Sequence, residues 1–422
     1  MYRIFLSALL VALLSACASS SKIINKTSKE LLQTEFYDNH FTGMLIIDPS
    51  SNDTLLDYDS EKYFIPASNT KIFSLYTSLK MLPDSIPAFS YIKENDTTYI
   101  QGTGDPTLFH PYFNSDKVVK FLKNQSNLKF KINNLKDEKL GPGWSCGDYQ
   151  YYYQVERSAL PLYGNVLTVT NSTEPKVQPS VFKDSIIAIN SRDNREQEKN
   201  IFYFDSNRKD TLEVPFRTSE LLSKSILESE LGKEIMVGND FPLGTKSVFY
   251  SMPKDTVLKR MMHVSDNFIA DQLLILASST LSDTLSIHMA QKYMLENYLN
   301  DLKQEPRWVD GSGLSRYNLI SPKSIVHVLH KMYREIEMER LLSFFPAGGA
   351  SGTLKSWYPG DPEPYVYAKT GSLSNNHCLS GFIKTKSGKT LIFSFMNNHF
   401  RKPSSDVKKR MQMILENVRD TY

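Results

Sequence analysis

The pattern of apolar and polar positions predicts two groups of strands, one near each end of the chain. After Gly43, two apolar runs flank a cluster of turn-forming residues at 48–53, which predicts a β-hairpin that ends near Asp57. In the C-terminal third, three successive apolar segments predict strands at 366–373, 379–385 and 390–396. We expect the strands from both ends to form one antiparallel sheet.

Helices are predicted around these strands. One follows Ser68, and others cover 219–231 and 256–278. The C-terminal segment is predicted to be an amphipathic helix, with Ser404 or Ser405 as its N-cap, because apolar residues recur there at steps of four, three and four: Val407, Met411, Ile414 and Val418. The pattern as a whole predicts an α+β fold, in which helices flank the antiparallel sheet.

The middle of the chain has a different character. Between about residues 84 and 216, strand-like segments rich in Tyr and Phe alternate with turns, and helical periodicity is scarce. We interpret 84–216 as an inserted β-rich accessory module, and 36–83 with 217–422 as one discontinuous domain.

Composition excludes several classes of protein. The 422 residues carry 49 Lys and Arg against 46 Asp and Glu, and no basic patch with interleaved aromatics is present, so a nucleic-acid partner is not expected. Three cysteines are too few for a disulfide scaffold. Cys146 and Cys378 either form one disulfide or are separately buried, and we favour the second. No metal is expected, since the eight histidines form no His-Glu-x-x-His pattern. No cofactor is expected either.

The N-terminus predicts export and anchoring. A basic start and a short apolar run, too short to span a bilayer, predict a signal peptide at 1–16. The run ends in Leu14-Ser15-Ala16-Cys17, which resembles the bacterial lipobox, where the cysteine is lipidated. The alternative is an ordinary signal peptide with an incidental cysteine. We expect 17–35 to be a lipid-anchored tether that provides the only contact of an extracytoplasmic body with the membrane.

Three short motifs are the candidate chemistry: Ser68-Asn69-Thr70-Lys71, Ser265-Asp266-Asn267 and Lys369-Thr370-Gly371. The Ser-x-x-Lys spacing is uninformative alone, because it recurs at Ser19, Ser90, Ser126, Ser180, Ser206, Ser251 and Ser405. Ser68 differs because it begins an apolar-faced helix, on which residues three apart share a face. Each motif also has an ordinary structural interpretation, as a helix cap, a polar loop or an edge strand. Their joint occurrence in this order predicts that Ser68, Lys71, Ser265, Asn267 and Lys369 converge on one cleft.

These residue types suit an acyl-transfer reaction. A serine hydroxyl becomes a good nucleophile only when a neighbour accepts its proton, and a lysine does so only when its pKa is lowered. We expect Lys71 to be that base, with its pKa lowered both by burial and by a second cation nearby, for which Lys369 is the candidate. Ser265 is expected to relay a proton to the leaving amine, and Asn267 to hold a substrate amide.

The third motif is expected to bind an extended peptide. A free strand edge pairs with such a peptide by β-addition, and Lys369 and Thr370 are placed to meet its terminal carboxylate. Gly371 lets another backbone approach the strand. The backbone N–H groups of Ser68 and Ser372 are expected to form the oxyanion hole.

Further motifs accompany the three: Gly104-Asp105-Pro106-Thr107-Leu108, Gly143-Trp144-Ser145, Ser158-Ala159-Leu160 and Asp310-Gly311-Ser312-Gly313-Leu314-Ser315-Arg316. Together, from about residue 40 to the end, they resemble the D-Ala-D-Ala carboxypeptidase/endopeptidases of the low-molecular-mass class C penicillin-binding proteins. The sequence departs from that family at Cys146-Gly147, where Trp-Asp is expected.

The resemblance implies a β-lactamase/transpeptidase-like fold with extra domains between the first two motifs. It implies cleavage of the terminal D-Ala, or of D-Ala cross-links, in peptidoglycan stem peptides through an acyl-Ser68 intermediate. It also implies inhibition by β-lactams and a place in the bacterial cell envelope, on the periplasmic side. A β-lactamase or esterase on the same scaffold, and a lipid-tethered non-catalytic cell-wall binding protein, are the alternatives. The sequence leaves open carboxypeptidase against endopeptidase preference, the membrane that is anchored and the oligomeric state.

Overall fold

The structure is a computed structural model that describes residues 22–172 and 175–422. The predicted signal peptide and Cys17 lie outside the described residues. Numbered in chain order, the strands are β1 (Phe41–Asp48), β2 (Asp53–Tyr58), β3 (Ser85–Glu94), β4 (Thr97–Gly102), β5 (Asn127–Lys131), β6 (Val166–Thr170), β7 (Lys176–Gln178), β8 (Ile186–Ala188), β9 (Phe202–Phe204), β10 (Leu212–Pro215), β11 (Met236–Val237), β12 (Ser247–Pro253), β13 (Val366–Leu373), β14 (Asn376–Lys384) and β15 (Thr390–Asn398).

The helices are numbered in the same way. They are α1 (22–32), α2 (Lys71–Met81), α3 (Asp116–Lys123), α4 (Glu220–Leu231), α5 (Lys254–His263), α6 (Asn267–Ser278), α7 (Ile287–Asn297), α8 (Pro322–Glu335), α9 (Met338–Ser343) and α10 (Ser404–Thr421).

A five-stranded antiparallel sheet joins the two ends of the chain. Its order is β13-β14-β15-β1-β2, so the N-terminal hairpin pairs with the C-terminal strands, with Leu45 opposite Ser394. The predicted hairpin, the three C-terminal strands and the α+β class are confirmed. Strand β13 is the edge strand, which matters for the site because it carries the third motif.

Each face of this sheet has its own core. Leu45 packs with α2, α6 and α8 on one face, whereas its neighbours Met44 and Ile46 pack with α1 and α10 on the other. This alternation follows from the two-residue repeat of a strand. Helix α10 begins directly after Pro403, and no side chain caps it, so the expectation that Ser404 or Ser405 would do so is wrong. Both serines already lie inside its first turn.

The helical pattern at 256–278 is two helices rather than one. Helices α5 and α6 are separated by three residues, and Ser265 among them has a positive φ of 61°. Asp266 then caps α6, because its Oδ1 accepts a hydrogen bond from the N–H of Ile269 at 3.0 Å. The break is the second motif, and it places Ser265 and Asn267 at the beginning of a helix.

The region predicted to be inserted is rich in strands, and much of it packs around a core separate from those of the central sheet. Its sheets have the orders β11-β5-β4-β3-β12 and β10-β6-β7, and β8 pairs with β9. The larger sheet includes β11 and β12, which lie beyond residue 216, so it extends on both sides of the predicted boundary. The division into domains stays a prediction.

Helix α1 lies within the segment 17–35 that is expected to be a tether, but it packs against the body of the protein. It is helical from residue 22, and Ile24 and Leu32 are buried against the core that α10 covers. The Nδ2 of Asn417 donates to Thr27 Oγ1 at 2.9 Å, which ties α1 to α10. Over the described part of the chain, no helix has both the length and the apolar character that crossing a membrane requires.

Candidate active site

Ser68 lies in a tight turn at the beginning of α2. The turn, Ala67–Thr70, is a single 3₁₀ helix, and Ala67 within it has a positive φ of 46°. The hydroxyl of Thr70 donates to the Ala67 carbonyl at 2.9 Å and closes the turn. Ser68 thereby lines a cleft of about 930 Å³, which Ser265, Asn267 and Ser372 also line.

Lys71 joins the first motif to the second. Its Nζ donates to Ser68 Oγ at 2.9 Å, to Asn267 Oδ1 at 2.7 Å and to the Ser312 carbonyl at 2.7 Å. The side chain is fully buried. The amide of Asn267 is fixed in turn, because its Nδ2 donates to the Tyr153 carbonyl at 3.0 Å. A buried amine in hydrogen-bond contact with a serine hydroxyl has the geometry required of a general base.

Lys369 joins the second and third motifs. Its Nζ donates to Ser265 Oγ at 2.8 Å and to the Thr370 carbonyl at 2.7 Å, and it too is fully buried. Asn69 ties the Ser68 turn to the same strand, because its Nδ2 donates to the Lys369 carbonyl at 2.9 Å. The structure therefore brings the five predicted residues together as two hydrogen-bonded groups, Ser68–Lys71–Asn267 and Ser265–Lys369.

The two lysines differ in their electrostatics. Burial lowers the pKa of Lys71 from 10.5 to about 8, against the opposing charges of Asp310, Asp271 and Asp266. Burial lowers the pKa of Lys369 well below its ordinary value, and the charge of Lys71 lowers it further. Burial therefore lowers the pKa of Lys71 as expected, but the charge of Lys369 is not among the causes, so that part of the expectation is wrong. It is the pKa of Lys369 that responds to the charge of its neighbour.

The outer edge of β13 is covered at one end and open at the other. The Val366 carbonyl accepts from Gly348 N–H and the Ala368 N–H donates to the Pro346 carbonyl. Because backbone groups alternate between the two edges of an antiparallel strand, the peptide groups of Thr370 and Ser372 face the same outer edge. Ser372 is exposed and lines the cleft.

The other two residues of the third motif are placed differently. The hydroxyl of Thr370 donates to Thr353 Oγ1 at 2.8 Å, and Thr370 is not among the residues that line the cleft. Gly371 packs against the Ser68 turn, where an added Cβ would lie 2.5 Å from the Pro66 carbonyl oxygen. The absence of a side chain at 371 allows this close approach.

Sequence reasoning missed a buried ion pair that supports the site. Arg157 donates from Nε and Nη2 to Asp271 Oδ2 at 3.1 and 3.0 Å, and both side chains are almost fully buried. The other oxygen of Asp271 accepts from the N–H groups of Gly311 and Ser312. Asp271 thus orients the segment whose Ser312 carbonyl binds Lys71. No local pattern marks this pair, since its members lie 114 residues apart.

Asp310 organises the loop that follows. Its carboxylate accepts from Trp144 Nε1 at 2.9 Å, from the N–H groups of Gly313 and Ser315 at 2.8 and 2.7 Å, and from Asn318 Nδ2 at 2.8 Å. The motif at 310–316 therefore has a structural role, since the loop it fixes packs against the Ser68 turn, where Gly313 lies next to the Ala67 carbonyl.

The two cysteines in the described residues are free thiols. Cys378 is buried, as expected, but Cys146 is exposed, so the expectation that both are buried is wrong for Cys146. Cys146 lies in a 3₁₀ turn at Cys146–Asp148, whereas Cys378 lies on β14. Within residues 22–172 and 175–422, no group of three or more His, Cys, Asp or Glu side chains is arranged to hold a metal ion.

Comparison with known proteins agrees with this geometry. Along 97% of the chain, the sequence is 22% identical to the D-alanyl-D-alanine carboxypeptidase DacB of Haemophilus influenzae, covering 96% of that protein. The crystal structure of penicillin binding protein 4 (dacB) from the same organism matches with a TM-score of 0.71 and 19% identity, covering 93% of this chain and 97% of that one. That protein has also been solved in complex with a β-lactam.

A predatory peptidoglycan endopeptidase from Bdellovibrio bacteriovorus matches with a TM-score of 0.52 and 16% identity, covering 90% of this chain and 92% of that one. At these identities the solved structures show the shared fold. The profile of the D-Ala-D-Ala carboxypeptidase 3 (S13) family matches residues 25–224 and 242–418, which is most of the chain. The protein therefore belongs to the D-Ala-D-Ala carboxypeptidase 3 (S13) family of serine peptidases.

Proposed function

We propose that the protein cleaves the terminal D-Ala, or D-Ala cross-links, of peptidoglycan stem peptides through an acyl-enzyme on Ser68. The observation that carries the proposal is the 2.9 Å hydrogen bond between Ser68 Oγ and the buried Lys71 Nζ. The comparisons do not favour the β-lactamase or esterase alternative, nor that of a non-catalytic binding protein.

The first step is acylation. Neutral Lys71 accepts the Ser68 proton as Oγ attacks the D-Ala carbonyl carbon. The N–H groups of Ser68 and Ser372 donate to the oxygen of the tetrahedral intermediate, where negative charge develops. The C–N bond then breaks as Ser265 gives its hydroxyl proton to the leaving amine and takes up the proton that Lys71 removed from Ser68, while Lys369 holds the Ser265 hydroxyl in place. Water resolves the Ser68 ester and regenerates the enzyme.

Substrate binding uses the open edge of β13. The extended peptide pairs with the backbone at Thr370 and Ser372, and Asn267 holds an amide on its other side. Thr370 already donates its hydroxyl to Thr353, so Ser372 is the better placed of the two to meet the terminal carboxylate. A β-lactam that occupies the same edge would acylate Ser68, and we propose β-lactams as covalent inhibitors.

We further propose that Cys17 is lipidated and holds the enzyme on the periplasmic side of the bacterial cell envelope. The support is the lipobox-like sequence at 14–17 after a signal-like segment. Metabolic labelling with a radioactive fatty acid tests this: the label should enter the wild type and not Cys17→Ala. Equal labelling of both proteins contradicts it.

A matched pair of serine variants tests the catalytic proposal. Ser68→Ala should abolish release of D-Ala from a disaccharide-pentapeptide. Ser126→Ala should leave it unchanged, since Ser126 has the same Ser-x-x-Lys spacing but is an exposed residue outside the cleft. Assaying a cross-linked dimer beside the pentapeptide measures the balance of endopeptidase and carboxypeptidase activity. Unchanged activity of Ser68→Ala contradicts the assignment.

A further inference from the structure

A row of polar side chains crosses the central sheet behind the cleft. Ser372 on β13 pairs with His377 on β14, His377 with Asn397 on β15, and Asn397 with Thr42 on β1. Residues directly opposite one another share a face of the sheet and have Cβ atoms about 5 Å apart. We call these four residues the polar ladder. Ser372 is its exposed end at the cleft, and the other three are buried.

The contacts along the ladder have a direction. The hydroxyl of Thr42 donates to Asn397 Oδ1 at 2.9 Å, which turns the Asn397 amide nitrogen away from Thr42. At the other end, Ser372 Oγ and His377 Nδ1 lie 2.8 Å apart. Burial lowers the pKa of His377 to about 3, so its ring is neutral and only one of its nitrogens carries a hydrogen.

The contact between His377 and Asn397 bears on which ring nitrogen of His377 carries the hydrogen. His377 Nε2 and Asn397 Nδ2 occupy neighbouring positions, are buried, and have no hydrogen-bond partner among the described residues. His40 also lies beside Asn397, and its Nε2 is likewise buried without a partner. Asn397 Nδ2 is always a donor. A hydrogen on His377 Nε2 would leave two buried donors in neighbouring positions, whereas a lone pair on Nε2 gives Asn397 Nδ2 an acceptor in the next position of the ladder. This arrangement favours the tautomer with its hydrogen on Nδ1, which donates to Ser372 Oγ.

We propose that the polar ladder orients Ser372 as a hydrogen-bond donor to the terminal carboxylate of the substrate, with His377 as the positioning residue. The Nδ1–H of His377 occupies a lone pair of Ser372 Oγ. The Ser372 hydroxyl hydrogen then points away from His377 and is free to be donated in the cleft. This inference rests on the proposed function, because it assumes that the carboxylate lies beside Ser372.

Two substrates separate this role from a general structural one. Both are acyl-D-Ala thioesters, one with a leaving group that ends in a free carboxylate and one that ends in a carboxamide. His377→Phe should lower kcat/KM about tenfold for the carboxylate substrate, mainly by raising KM, because a hydrogen bond to a charged group is lost. The carboxamide substrate should change less than twofold. His377→Asn keeps an N–H near the Nδ1 position and should recover most of the loss.

A double variant tests the coupling. In a Ser372→Ala background, His377→Phe should have no further effect on the carboxylate substrate. Thr42→Val is nearly isosteric and lies far from the cleft, and it should lower kcat/KM two- to threefold for the carboxylate substrate only. This variant provides the test if His377→Phe does not fold. Equal losses on both substrates, or a full effect of His377→Phe without Ser372, overturn the proposal.

The proposed function and the role of the polar ladder can be disproved separately. If penicillin does not acylate Ser68, the proposed function itself is wrong. If Ser68 is acylated normally and Ser372→Ala discriminates between the two substrates while His377→Phe and Thr42→Val do not, only the role of the ladder is wrong.

Discussion

Gly313→Ala is the substitution that tests how the Ser68 turn is held. Gly313 has a φ of +81°, and an added Cβ would lie 1.9 Å from the Ala67 carbonyl oxygen and 2.9 Å from Thr70 Oγ1. Ordinary van der Waals contact begins near 3.4 Å. To bring the contact of the new Cβ with the Ala67 carbonyl oxygen from 1.9 Å to 3.4 Å, the turn and the 310–316 loop must separate by about 1.5 Å.

That displacement acts on the nucleophile directly, because Ser68 follows Ala67. A misplacement of about 1 Å costs on the order of 100-fold in rate. We expect Gly313→Ala to slow acylation by a fluorescent penicillin by at least that factor. The positive φ alone adds a destabilisation of about 1–2 kcal/mol, visible as a lower Tm.

Gly388→Ala is the matched control. Gly388 has a similar φ of +87°, but an added Cβ there meets no atom within 4 Å. It should lose a comparable 1–2 kcal/mol from the strained φ and acylate at the wild-type rate. Acylation by folded Gly313→Ala within threefold of Gly388→Ala would refute the reasoning that the Gly313 contact positions Ser68.

Three further predictions concern charge, stability and exposure. Because only neutral Lys71 accepts the Ser68 proton and its pKa is about 8, the acylation rate should rise roughly tenfold between about pH 7 and 9, and a flat profile contradicts this role. Asp271→Asn should lower the free energy of unfolding by about 3–5 kcal/mol, since it leaves Arg157 buried without its counter-charge. The control Glu296→Gln breaks an exposed ion pair with Lys292 and should change the free energy of unfolding by less than about 1 kcal/mol. Similar Tm shifts of Asp271→Asn and Glu296→Gln refute the reasoning. In the native protein a thiol reagent followed by peptide mapping should label exposed Cys146 and not buried Cys378, whereas labelling of both or of neither contradicts the structure.

The elements that the sequence predicted are those with a strong local pattern. The hairpin after Gly43 and the strands around the third motif combine apolar runs with turn formers, and both signals act within a few residues. The break at Ser265 was not predicted as two helices, because apolar residues continue on both sides of it. The docking of α1 depends on contacts such as Asn417 with Thr27, 390 residues apart, which no local pattern reveals.

The candidate site follows the same rule. Its three motifs are short enough to be read from the sequence, and the geometry then adds what joins them. The Ser312 carbonyl that binds Lys71, and the Arg157–Asp271 pair behind it, come from segments far apart in the chain. The electrostatics needed the structure as well. Burial of Lys71 could be expected from the sequence, but not that Lys369 is absent from the causes of its lowered pKa, or that the charge of Lys71 lowers the pKa of Lys369 instead.

The most direct test of the central claim is the intact mass of the protein after exposure to penicillin, followed by peptide mapping of the adduct. We predict a single covalent adduct on the peptide that contains Ser68, absent from Ser68→Ala and present in Ser126→Ala. No adduct, or an adduct on a peptide without Ser68, would contradict the acyl-enzyme mechanism.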